Sequence, residues 1–160
     1  LDSIREKKQA VLHMDIPTDW ELYGDPFYWT QILFNLVENA LKQNTEPGLS
    51  ITVAAAKTQD ACVITVTDTG VGIPAESIPF LFNRFYRVET HHSSEIRGTG
   101  LGLSIVKRAV EAHDGAITVS SIPHRETVFT ITIPLKRFRE EKRIRQLSQI
   151  SIKTSANKST

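Results

Sequence analysis

Apolar residues alternate with polar ones over Leu12, Met14 and Ile16 and stop at Pro17, the pattern of a half-buried strand. The period then changes. Asp25-Pro26 offers a helix N-cap followed by proline at the first helical position. From there Trp29, Leu33, Leu36, Val37 and Ala40 recur at the spacing of one helical face. Gln31, Asn35, Asn39 and Lys42 line up on the opposite edge. Asparagines are unfavourable in mid-helix, so this edge is either a solvated face or a set of ligands turned to a cavity. A turn cluster at 44–48 separates the helix from two predicted strands, 50–56 and 62–67, joined across a polar link at 57–60.

In the second of these strands Cys62, Ile64 and Val66 share a face, and a period of two carries Asp68 onto the same inward side. A carboxylate there is costly unless something donates to it. The donor is either a local turn through Asp68-Thr69-Gly70 or the amino group of a ligand. Val71-Gly72-Ile73-Pro74 follows, and residues 75–86 read as helical in parts, broken near Pro79, with Phe80, Leu81, Phe82 and Phe85 as core. The polar segment 89–97 has little to hold it down and is predicted mobile, with His91 and His92 as exposed loop residues.

The next stretch, Gly98-Thr99-Gly100-Leu101-Gly102-Leu103, runs into a second amphipathic helix that buries Leu103, Val106, Ala109 and Val110 and ends at His113-Asp114-Gly115, with Gly115 as C-cap. Alternating glycines bring bare backbone to an anion, and a helix start supplies unpaired N–H groups and partial positive charge. The stretch is either a phosphate cradle or a plain flexible hinge or tight helix start, and it lacks the spacing of a P-loop or of the dinucleotide fingerprint. Ile117 and Val119, then Phe129, Ile131 and Ile133 up to Pro134, supply two more strands. The expected class is α+β: a two-layer α/β sandwich, its mixed sheet covered on one face by three helices.

Length and composition narrow this only slightly. At 160 residues the chain suits one domain, 40% hydrophobic and 23% charged. It carries no apolar run of the ~20 residues that a membrane span needs, and no signal-peptide pattern. The chain opens at Leu1 rather than Met, as expected of a piece of a longer protein whose membrane anchor lies elsewhere. Cys62, the one cysteine, excludes an internal disulfide and reads as buried packing. The net charge of +1 conceals an acidic body: residues 136–160 hold eight basic and two acidic groups, leaving −5 on the rest. Nucleic acid is therefore not an expected partner. Residues 1–9 read as a linker, 10–135 as the folded domain, and 136–160 as a basic tail fraying into disorder.

Asn35-x-x-x-Asn39, Asp68 with Gly70 and Gly72, Phe82-x-x-Phe85-Tyr86-Arg87, and Gly98/Gly100/Gly102, in that order, resemble the N, G1, F and G2 boxes of sensor histidine kinases. The resemblance runs from about residue 8 to residue 135 and is to the catalytic, ATP-binding domain. That domain has the Bergerat fold, shared with gyrase, Hsp90 and MutL. The resemblance implies ATP and Mg²⁺ as cofactors. Asp68 would accept from the adenine amino group, with Thr127 beside it, and Asn39 would hold Mg²⁺ next to Asn35. Lys42 would reach the phosphates, Gly98, Thr99, Gly100, Leu101, Gly102 and Leu103 would take the triphosphate, and Gly70, Gly72 and Tyr86 complete the contacts. Arg87 and Arg84 would stabilise charge on the transferred γ-phosphoryl group, and the segment between Arg87 and Gly98 would be the ATP lid.

The resemblance also implies partners: an upstream dimeric helical domain bearing the phosphoacceptor histidine, and a response regulator. The chain itself is expected to be monomeric and cytoplasmic, and idle without the helical domain. Hydrolytic relatives carry a glutamate where this chain has Asn35, and an amide takes no proton from water near neutral pH. Glu38 is expected to project about 100° away from Asn39 around the helix. Gln43, Asp114 and Arg125-Glu126-Thr127 depart from the family pattern. An inactive nucleotide-sensing scaffold, a protein-serine kinase and a hydrolytic ATPase are the alternatives.

Overall fold

The computed structural model describes residues 9–18, 20, 24–44, 47–88 and 98–135. The expected linker up to residue 8, the lid with His91 and His92, and the basic tail lie outside the described residues. The Asp25 side chain accepts a hydrogen bond from the Phe27 N–H at 2.8 Å, and Pro26 opens helix α1 (Pro26–Gln43). Strands β1 (Val11–Asp15), β2 (Ser50–Lys57) and β3 (Ala61–Asp68) precede and follow it. Helix α2 (Gly102–Glu111) is followed by β4 (Ala116–Ile122) and β5 (Glu126–Pro134). The five strands form one mixed sheet in the order β1-β2-β3-β5-β4, with β1 and β2 parallel and the other neighbours antiparallel.

The inner face of the sheet carries Ile51 and Val53 of β2, Cys62, Ile64 and Val66 of β3, and Phe129, Ile131 and Ile133 of β5. Against it pack Ile32, Leu36 and Leu41 of α1 and Val106 and Val110 of α2. Strict alternation along β3 leaves Asp68 as its last inward residue, only 5% exposed. Cys62 is buried in this layer, and burial pushes its thiol up to about 11, which makes it a packing residue rather than a nucleophile.

Four sequence expectations need correction. Leu12 and Met14 do lie opposite Ile51 and Val53 in register, but β1 is an edge strand and every residue in it is exposed, Met14 by 59%. Residues 75–86 contain only a 3₁₀ turn, Ile78–Phe80, because Pro79 has no N–H to extend it, so the described residues hold two α-helices rather than three. Within that stretch Leu81 is buried and Phe82 meets Phe129 edge-on at 6.4 Å, whereas Phe80 and Phe85 are exposed. After α2 the left-handed residue is Asp114, with φ 54°, not Gly115. Gly115 serves by close approach, since a Cβ there would strike the Ile133 side chain and lie 2.9 Å from the Thr132 carbonyl oxygen. Gly115→Ala is therefore expected to cost about 1–3 kcal/mol by overpacking, measured by denaturant unfolding.

Candidate functional site

Where the C-terminal half of α1 meets the end of β3 and the start of α2, the fold leaves a cavity of about 290 Å³. Its polar wall on α1 takes Asn35, Asn39 and Lys42 from the predicted polar edge, with Glu38 but not Gln31, and all four are half-buried. A solvated face would be more open. Asn35 donates from Nδ2 to the Gln31 carbonyl at 2.7 Å, which accounts for an asparagine in mid-helix. Its Oδ1 faces α2, because a Cβ built on Gly102 would lie 2.9 Å from it.

The opposite wall is the glycine stretch. Gly98, Thr99, Gly100, Leu101, Gly102 and Leu103 all line the cavity. No side chain caps α2 at Leu101, so its first N–H groups and its positive dipole end are presented there. Gly100 adopts φ 67° and its carbonyl accepts from the Phe85 N–H at 2.8 Å. A Cβ on Gly100 would come within 2.7 Å of the Phe85 backbone, so this junction admits only glycine. Through it the stretch bearing Tyr86 and Arg87, both cavity-lining, is fixed to the glycine wall.

At the far end stands Asp68, opposite Thr127 of β5 in register; both are buried and both line the cavity. The Thr127 hydroxyl lies 3.3 Å from Ser121 Oγ, which also accepts from the Ile73 N–H at 2.8 Å. Asp68 Oδ1 accepts from the Gly70 N–H at 3.0 Å and from Asn44 Nδ2 at 3.4 Å. Burial raises the Asp68 pKa above the usual carboxylate range, and the Gly70 and Asn44 hydrogen bonds oppose that rise.

Most predicted site residues thus come together: Asn35, Asn39, Lys42, Asp68, Gly72, Tyr86, Arg87, Thr127 and the glycine stretch. Gly70 and Arg84 are not in the cavity wall. Gly70 instead makes room for Asn44, whose side chain occupies the place of a Cβ, and exposed Arg84 lies 5.9 Å over the Phe85 ring. Glu38, not among the predicted site residues, also lines the wall and pairs with Lys42 at 2.9 Å one turn on. Asn44, a turn residue by its sequence context, is 3% exposed and caps α1. Its only sequence signal is an amide just past a helix end, a common turn feature.

Residues 24–137 match the family described as histidine kinase-, DNA gyrase B-, and HSP90-like ATPase. The chain is 39% identical over 138 residues to the sensor histidine kinase WalK of Bacillus subtilis (strain 168), spanning 84% of this chain and 23% of that protein. It is 40% identical over 131 residues to the sensor histidine kinase RcsC of Escherichia coli (strain K12), spanning 81% of this chain and 14% of that one. The chain therefore spans about a quarter or less of the length of these relatives. Among solved structures, the mycobacterial sensor histidine kinase MprB is similar with TM-score 0.70 at 27% identity, covering 83% of this chain and 89% of that one. A nucleotide-free catalytic domain of the histidine kinase ThkA gives TM-score 0.69 at 25% identity, covering 83% of this chain and 85% of that one.

The strained element of this site is the Asp68 charge. A carboxyl whose pKa is raised by folding gives its full stabilisation below the ordinary aspartate value, about 3.9, and loses it as pH rises through the raised one. At neutral pH the ligand-free chain therefore carries a destabilising charge. Asp68→Asn, which keeps an Oδ1 acceptor, is expected to raise the melting temperature at about pH 7 and to lose that advantage near pH 3.5, measured by thermal unfolding without ligand.

Proposed function

This chain belongs to the histidine kinase-, DNA gyrase B-, and HSP90-like ATPase family, and from that membership we propose that it is the ATP-binding unit of a two-component sensor kinase. It passes the γ-phosphoryl group of ATP to a histidine on a helical domain of the same protein, from which a response regulator takes it. The domain reading is residues 10–135 for nucleotide binding, with 1–9 as linker and 136–160 as tail. ATP as co-substrate implies the cytoplasm. Among the described residues no helix is long and apolar enough to cross a membrane.

One observation carries the reading: a single cavity has a buried carboxylate at one end and an uncapped helix start behind bare glycines at the other. The carboxylate suits the adenine amino group and repels the guanine carbonyl. The Thr127 hydroxyl stands beside it as a further polar contact. The N–H groups of the glycine stretch and the first turn of α2 take the phosphate oxygens. Lys42, now paired with Glu38, turns to the more highly charged phosphates when they arrive, and Arg87 faces the same space.

The described residues hold no cluster of three His, Cys, Asp or Glu. A cage made wholly by protein is therefore not what they build, and one hard neutral oxygen from Asn39 fits Mg²⁺ arriving with phosphates and water. Bound there, the ion would neutralise phosphate charge. Asn35 offers no proton acceptor where a hydrolytic enzyme needs one. This feature favours transfer to a protein side chain over hydrolysis.

Calorimetry with ADP and a nonhydrolysable ATP analogue tests the reading. Asp68→Ala is expected to weaken ADP binding by about 10- to 100-fold, the worth of a charge-assisted hydrogen bond. An unchanged affinity would overturn the assignment. Asn39→Ala is expected to remove the gain that Mg²⁺ gives to the triphosphate while leaving metal-free binding in place. With a helical-hairpin fragment added, acid-labile and alkali-stable phosphate is expected on that fragment.

A further inference from the structure

Asn44 lies at the C-cap of α1, and its side chain bonds both back to the helix and across to the end of β3 and the loop beyond. Its Nδ2 donates to the Ala40 carbonyl at 2.7 Å and to Asp68 Oδ1 at 3.4 Å, and its Oδ1 accepts from the Val71 N–H at 2.6 Å. The side chain is 3% exposed and occupies the space that a Cβ on Gly70 would need. One amide therefore joins the end of the helix, the carboxylate at the end of β3 and the loop that follows it. Those partners lie 24 and 27 residues away in sequence.

We propose that Asn44 is a positioning residue for nucleotide binding, holding the Asp68 carboxylate charged and turned to the adenine end of the cavity. The inference rests on the nucleotide reading given above. Its physical basis is that both donors to Asp68 among the described residues, the Gly70 N–H and the Asn44 amide, meet the same oxygen, Oδ1. This arrangement directs the second oxygen to the space that Asp68 lines. A donor to the ionised form opposes the cost of burial, and an ionised carboxylate is the stronger acceptor for an amino group. The charged side chains facing this space are Glu38 and Lys42 from α1 and Arg87 from the stretch after the 3₁₀ turn. Glu38 and Lys42 largely cancel each other, and the ionisation of Asp68 is governed by burial, Gly70 and Asn44.

Two variants separate positioning from simple support of the fold. Asn44→Asp keeps an oxygen for the Val71 N–H but replaces the amide donor by a second carboxylate oxygen against Asp68. Asn44→Ala removes the donor without adding charge. The readout is ADP affinity without metal between about pH 5.5 and 8, together with the titration midpoint of the Asp68 carboxyl followed by ¹³C NMR in each soluble variant. Loss of the donor raises the pH at which Asp68 ionises, so binding weakens more at the acid end than at the alkaline end, by up to about tenfold for a midpoint rise of about one pH unit. The Asp68 midpoint moves up in parallel. A variant that merely loosens the fold loses affinity equally at every pH and leaves the midpoint in place, and that result overturns the proposal. Asp68→Asn in the wild-type background separates the two levels. If it leaves ADP affinity unchanged, the nucleotide reading fails and takes this inference with it. If it weakens binding while the Asn44 variants keep the wild-type pH profile and midpoint, this inference alone fails.

Discussion

A carboxylate buried at the end of a strand is the constraint from which the rest of the site follows. Asp68 continues the inward face of Ile64 and Val66, so the alternation that builds the core also carries a charge into it. Such a group is tolerated only where donors are already in place. The chain supplies them from a backbone amide two residues on and from a helix end, with Thr127 of β5 alongside. The charge remains costly even so, as its raised pKa indicates. Cost without structural benefit is the mark of a group retained for binding.

Much of this arrangement was legible in the sequence alone. The Asp25-Pro26 start of α1, the β2–β3 hairpin and the inward direction of Asp68 all follow from local rules of capping and alternation. The glycine stretch and the asparagines of α1 were legible as chemistry, and the fold brings them to one cavity. Properties that depend on distant neighbours were not legible. Leu12 and Met14 alternate correctly but lie on an edge strand, where both helices, packed on each other over the middle of the sheet, leave them exposed. Phe80 and Phe85 have core composition, but Pro79 and the left-handed backbone of Phe85 turn that stretch outward. Asn44 shows the limit most plainly, because its local bond to Ala40 is an ordinary helix-end feature, while its contacts to Asp68 and Val71 lie two dozen or more positions away.

Helix α1 gives the site its length. Asn35 faces the first turn of α2 and Asn44 faces Asp68, so the two ends of the cavity are referenced to one rigid element. Nine residue steps, eight of them within the helix, separate the two, roughly 13 Å at about 1.5 Å per residue. The spacing between the carboxylate and the anion-accepting backbone is therefore set by a hydrogen-bonded rod, not by loops. The glycine wall is tied to that frame on its other side through the Phe85–Gly100 junction.

Charge is graded along the same axis, and the amide at Asn35 makes the gradient workable. The side chain uses its Nδ2 on the Gln31 carbonyl and presents a neutral oxygen beside Gly102. A carboxylate in that place would set a negative charge against the helix start that is best suited to an anion, so the two functions would compete for the same few ångströms. With an amide there, and with Glu38 paired to Lys42, Arg87 gives that end a positive charge, while the other end keeps the negative charge of Asp68. A ligand with an amino-bearing base at one end and phosphates at the other has the opposite polarity. The cavity thus selects orientation before any lid is considered, because entering reversed would bring phosphate to a buried carboxylate.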